Sequence, residues 1–167
     1  MVRRMIRRKA AIISIALAAF VDAYPGVCAK DLESVDVPPE VIEISEELGE
    51  QYCICPELIQ AICYVESRFC TDAKNGSCLG IMQVSEKWHK DRMERLRVTD
   101  LYDLRGNMTV AVDYLSELAS DGEDLEEALM RYHGETSIKD RLEAGETSWY
   151  VEKVLNLSAE LEVAHGK

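Results

Sequence analysis

The stretch Tyr64-Val65-Glu66-Ser67-Arg68-Phe69 closes the most strongly patterned part of the chain. Upstream of it, Pro56 sits at a helix start, where its missing N–H costs nothing. Leu58, Ile62, Val65 and Phe69 then recur at helical spacing, which predicts a helix with one buried face. Glu66 follows Val65 and lies one turn beyond Ile62, at the margin of that face. A carboxyl group at such a margin is partly desolvated, which raises its pKa. A carboxylic acid held protonated near neutral pH can donate a proton to a leaving oxygen. Taken alone, the stretch still favours the plainer reading, a surface glutamate at a helix end.

Outward from this helix the pattern stays helical. Asp31 to Pro39 is polar, ends in Pro38-Pro39 and reads as a linker; from Glu40 onward helical spacing dominates. Thr71 to Ser77 contains Asn75-Gly76 and reads as a loop. Trp88 to Leu96 reads as a short, charged helix, and Met108, Ala111, Val112, Leu115 and Leu118 define a longer one. Leu125, Ala128, Leu129 and Tyr132 define another, starting near Asp124 with Glu127 three residues on and stopping at Gly134. Tyr150, Val154, Leu157 and Leu161 give a last helix. No run of alternating residues stands out, so the fold class is all-α. Gly-Glu-Thr-Ser occurs at Gly134 and again at Gly145, which reads as coincidence because two copies make no repeat array.

The chain has 167 residues, room for one domain. Its 19 basic and 31 acidic residues give a net charge of −12, which argues against a nucleic-acid partner. Arg3, Arg4, Arg7, Arg8 and Lys9 precede an apolar run from Ala10 to Val21, and small residues follow. This is the make-up of a secretory signal, and the run is short of the roughly 20 apolar residues of a membrane span. Cuts after Ala23 or after Ala29 both fit. Without residues 1–29 the balance is 14 basic against 30 acidic, a net charge of −16. The expected organisation is a signal peptide over 1–29, a linker and N-terminal helix over 30–50, and a catalytic domain over 51–167.

Four segments follow one another in order: Glu66-Ser67; Gly80-Ile81-Met82-Gln83; Asn107 in a helix ending Asp113-Tyr114-Leu115; and Ala128-Leu129-Met130-Arg131-Tyr132-His133-Gly134. Each is weak alone. Together, on a chain with an export signal, they resemble the soluble lytic transglycosylase family, which has a lysozyme-like fold and cuts bacterial peptidoglycan. The resemblance covers roughly Gln51 to Leu155. It implies that Glu66 is the single catalytic acid and base, protonating the glycosidic oxygen between N-acetylmuramic acid and N-acetylglucosamine. Glu66 would then take the proton from the muramyl C6 hydroxyl as a 1,6-anhydro ring closes. Ordinary glycosidases use two carboxylates; here the substrate supplies the nucleophile. Asp72, Glu86 and Asp103 are available as second carboxylates, but their spacing singles none of them out.

The resemblance also implies substrate-binding roles. Gln83 would line the sugar groove with Met82 packed beside it, Ser67 would hold the loop or Glu66, and Asn107 would belong to the same site. Tyr132 would place its hydroxyl near Glu66. Three positions depart from the family. His133 replaces an asparagine, keeping donor and acceptor capacity and adding a charge that depends on pH. Ile81 replaces leucine, and Glu86 stands where proline is frequent.

Six cysteines suit an oxidised, exported chain. Cys70 and Cys78 flank the loop between Glu66 and Gly80 and are the candidate bridge; the other pairings stay open. Cys53-x-Cys55 lacks zinc-ligand spacing, so neither a metal nor a cofactor is expected. His89 reads as structural or solvated. The expected partner is the peptidoglycan glycan strand, met by a monomer in the cell envelope or outside the cell, with secretion or conjugation machinery as a further candidate partner. Two alternatives carry over: a hydrolytic muramidase on the same fold, and a non-catalytic peptidoglycan-binding module.

Overall fold

A computed structural model describes residues 35–120 and 124–167. The expected signal peptide over 1–29, and Cys28 within it, lie outside the described residues. Among the described residues there are seven helices and one small sheet. The helices are α1 (Pro39–Tyr52), α2 (Pro56–Ser67), α3 (Glu86–Leu96), α4 (Leu104–Ser120), α5 (Leu125–Tyr132), α6 (Ile138–Glu143) and α7 (Trp149–Ala164). The strands are β1 (Lys74–Asn75), β2 (Cys78–Leu79) and β3 (Val84–Ser85), paired antiparallel in the order β1-β2-β3.

Helix α2 is the axis of the molecule. Every residue from Glu57 to Cys63 is buried, because α2 packs against both α1 and α7, and a helix covered on several sides needs apolar residues most of the way round. Glu57 and Gln60 are the polar exceptions: Gln60 Nε2 donates to Ser45 Oγ at 2.8 Å, and Ser45 donates on to Ile42 O at 2.8 Å. Helix α4 packs against α1, α3 and α5, and α7 closes the core through Tyr150, Val154, Leu157 and Leu161, all buried.

Two details depart from the sequence reading. β1 and β2 fall between Glu66 and Gly80, read as loop, and β3 falls in a stretch given no element, since two-residue strands are too short to show an alternating period. The repeated Gly-Glu-Thr-Ser falls at two successive helix junctions. Gly134 and Gly145 have φ of 79° and 70°, and Ser137 and Ser148 stand at the N-caps of α6 and α7. Each copy thus passes between helices through a left-handed glycine, but only Ser148 caps with its side chain, accepting from the Val151 N–H at 3.4 Å, whereas Ser137 has φ of 53° and makes no such bond. Arg141 joins the two copies by pairing with both Glu135 and Glu146.

Candidate active site

Helix α2 stops abruptly. Arg68 and Phe69 both take left-handed φ, 54° and 64°, and the Arg68 N–H bonds back to Tyr64 O at 2.8 Å. Glu66 is therefore left on the last turn of the helix, half-buried, where the chain turns away into the sheet. It lines an open groove of about 230 Å³. Gln83, Tyr132 and His133 line the same groove, as do Asn75, Cys78, His89 and Tyr114. Glu66 is the only carboxylate among the lining residues. Asp72, Glu86 and Asp103 do not line it; Asp103 instead accepts from the Gly106 N–H at 2.7 Å.

The groove edge is a tight loop between β2 and β3. Gly80 has φ of 75°, and a Cβ there would lie 2.2 Å from both Asn107 Nδ2 and Leu101 O. Only glycine has both the backbone freedom and the missing atom that this approach requires. Asn107 fills the space so created. Its Nδ2 donates to Leu79 O and Leu101 O at 2.8 Å each, and its Oδ1 accepts from the Met82 N–H at 2.9 Å. Gln83 holds a left-handed φ of 50°, and its Nε2 donates to Gly80 O at 2.8 Å. A left-handed conformation costs a non-glycine residue of order 1–3 kcal/mol and persists only where the surroundings over-determine it.

Several expected residues thus stand behind the groove and not on it. Met82 and Asn107, expected to be substrate-binding, are fully buried; they shape the loop from beneath. Ser67 donates to Ile81 O at 2.7 Å and Cys63 O at 3.2 Å, tying the end of α2 to that loop. The Tyr132 hydroxyl donates to Met82 O at 2.9 Å, leaving Glu66 to another partner. That partner is Tyr150, whose hydroxyl donates to Glu66 Oε1 at 2.7 Å. The His133 ring stacks flat on Tyr150, 4.1 Å between centroids and 10° apart. Sequence reasoning placed Tyr150 in the core of the last helix and gave it no role at the site. A buried tyrosine needs a partner for its hydroxyl, and that was the one available signal.

Burial pushes the Glu66 carboxyl above its ordinary range, and the Tyr150 hydrogen bond offsets only part of this. Burial, and then the neighbouring Glu66, push Tyr132 and Tyr150 well above the usual phenol range. Both hydroxyls therefore stay protonated and available as donors.

The Cys70–Cys78 bridge is not formed. Among the described residues Cys53, Cys55, Cys63, Cys70 and Cys78 are all free thiols. Cys70 is exposed, with its sulfur 3.8 Å from the Asp72 carboxylate, whereas Cys78 sits in β2 and faces the groove. The short loop between them is spent on a hairpin that sends the two side chains to different places. Among the described residues no three His, Cys, Asp or Glu side chains come together as a metal site.

Searches of curated proteins and of solved structures returned no match. The family model described as Transglycosylase SLT domain matches residues 43–148, more than half of the chain. That span contains every residue named above as lining the groove, with Tyr150 just beyond it. The chain belongs to the transglycosylase SLT domain family, lysozyme-like proteins of general peptidoglycan-transglycosylase function.

Proposed function

We propose that the protein is an exported lytic transglycosylase that cleaves the β-1,4 bond between N-acetylmuramic acid and N-acetylglucosamine, with Glu66 as its only acid and base. The observation that carries this reading is the single carboxylate in the groove, half-buried, raised in pKa and held at 2.7 Å by a neutral tyrosine donor. In the first step Glu66 gives its proton to the glycosidic oxygen as the C1–O bond breaks. The substrate's own C6 hydroxyl then attacks C1 and returns its proton to the Glu66 carboxylate. One C–O bond is lost, one is formed, and water does not enter the balance. A two-carboxylate hydrolysis needs a second acid facing the bond, and among the described residues no other acid lines the groove. The basic and apolar segment over residues 1–29 supports delivery to the cell envelope or beyond.

Mass spectrometry of digested peptidoglycan tests the chemistry. Anhydro ends, one water lighter than reducing ends, are expected from the wild type and not from Glu66→Gln. Exclusively reducing ends would make the protein a muramidase. Binding without any release of fragments would make it a binding module.

A further inference from the structure

His89 has no part in the acid–base cycle, yet it lines the groove beside Glu66. It belongs to α3, a charged helix in which Met93 is the sole fully buried residue. His89 breaks that helix, with φ −117° and ψ 16° between helical neighbours. The break takes residue 89 off the solvated helical path and sets its half-buried ring against Tyr114, 4.6 Å between centroids and tilted by 57°. Tyr114 in turn lies 5.9 Å from the Tyr132 ring. The three rings form a continuous aromatic shelf along one part of the groove.

The charge around this shelf points to an uncharged ligand. Among the described residues no lysine or arginine lines the groove. Arg92 lies over Tyr114 at 5.2 Å, but its guanidinium is committed to Asp113 and to Glu117, the latter at 2.9 Å. Burial, and then the Arg92 charge, hold the His89 imidazole below its ordinary pKa, with Glu117 opposing. A neutral imidazole offers one donor and one acceptor. An acetamido group also offers one of each, and the face of a sugar ring suits an aromatic shelf.

We propose that His89 is a substrate-contacting residue that confers specificity, hydrogen-bonding the acetamido group of an N-acetylated amino sugar seated on the Tyr114–Tyr132 shelf. This rests on the glycan-cleaving reading above and adds to it the group that is recognised and the residue that recognises it.

The test uses Glu66→Gln protein, which keeps the groove without turnover, and two neutral probes: the β-1,4 trimer of N-acetylglucosamine and cellotriose, which lacks the acetamido group. Calorimetry is expected to show a preference for the acetylated trimer. Adding His89→Ala is expected to cut that preference about tenfold, a change of about 1.4 kcal/mol. His89→Asn, which keeps an uncharged donor and acceptor, is expected to recover part of it. Trp88→Ala, the 75% exposed neighbour, is expected to leave it intact, so perturbation of α3 alone does not mimic the effect. With active enzyme and soluble glycan strands, His89→Ala is expected to raise KM far more than it lowers kcat. An unchanged preference in His89→Ala, or an equal loss for both trimers, overturns the proposal. So does a fall in kcat at constant KM. Anhydro products from the wild type together with no acetyl preference in Glu66→Gln overturn it while the catalytic reading stands. No anhydro products and no binding of either trimer overturn both.

Discussion

Glu57 and Glu66 stand at the two ends of α2, and they titrate in opposite directions. Glu57, 1% exposed, has the smaller solvent-accessible surface of the two, although Glu66 is the more closely surrounded by protein. Its carboxylate is met by Lys167 Nζ at 2.6 Å, His165 Nδ1 at 2.9 Å and Cys55 Sγ at 3.1 Å. Burial alone would raise its pKa, but these partners outweigh burial and bring it down to about 2. Glu66 has one neutral donor, Tyr150, and there burial prevails. The helix itself adds to the contrast: its N-terminal end favours a negative charge and its C-terminal end opposes one. Loss of solvent contact alone therefore does not decide whether a glutamate becomes an anion or an acid. The charge of the groups that share its cavity does. The same cluster holds the Cys55 thiol up at about 12, with desolvation as the larger cause and the Glu57 hydrogen bond next.

The sharpest way to break the comparison is to neutralise each glutamate in turn. Glu66→Gln is expected to lower glycan cleavage by at least about 100-fold, the scale of general acid–base catalysis. At pH values high enough to ionise the desolvated carboxyl it should also raise Tm, because that charge is removed while the Tyr150 hydroxyl keeps an acceptor. Glu57→Gln is expected to do the reverse: it should cost about 2 kcal/mol of stability, the scale of hydrogen bonds to a charged group, with the remaining folded protein still cleaving. Parallel activity assays and urea melts check both arms, and a destabilised Glu66→Gln would dissolve the contrast.

The pH dependence of stability sharpens it further. A carboxyl whose folded pKa is depressed stabilises the fold above its unfolded pKa and loses that contribution as pH falls through the folded one. For Glu57 the loss is expected between about 4.5 and about 2. Urea melts across this window should fall for the wild type and less steeply for Glu57→Gln. The smallest expected effect is at Tyr150. Tyr150→Phe removes the one donor that lowers the Glu66 pKa, so the high-pH limb of kcat/KM should move to higher pH. The rate at the optimum should fall about fivefold, the size of one neutral hydrogen bond.

Much of this was legible in the sequence, for reasons that differ by residue. Glu66 is singled out by the order of the four motifs, since its place at the margin of the apolar face of α2 favours a plain surface glutamate; the raised pKa expected from that margin is the direction the structure has. Asn107 could be singled out but not understood. It belongs to the motif, yet it is buried under Gly80, serving the loop through three hydrogen bonds. Tyr150 and His89 could not be placed. Tyr150 meets Glu66 across 84 positions of sequence, and the break in α3 that sets His89 in the groove leaves no mark in the helical period. The Cys70–Cys78 expectation failed because proximity in sequence says nothing about where two side chains point out of a hairpin.

The sequence by itself determined the helical architecture, the order of the four motifs and the position of the acid at the end of the central helix. Those follow from apolar spacing, from proline at the helix start and from glycine at helix ends and turns, all of which act over a few residues. Only the tertiary structure decided which groups share a cavity with each glutamate. That choice lowered the pKa of Glu57 and raised that of Glu66 in the groove, because desolvation and charge pairing depend on neighbours that the chain brings together only by folding.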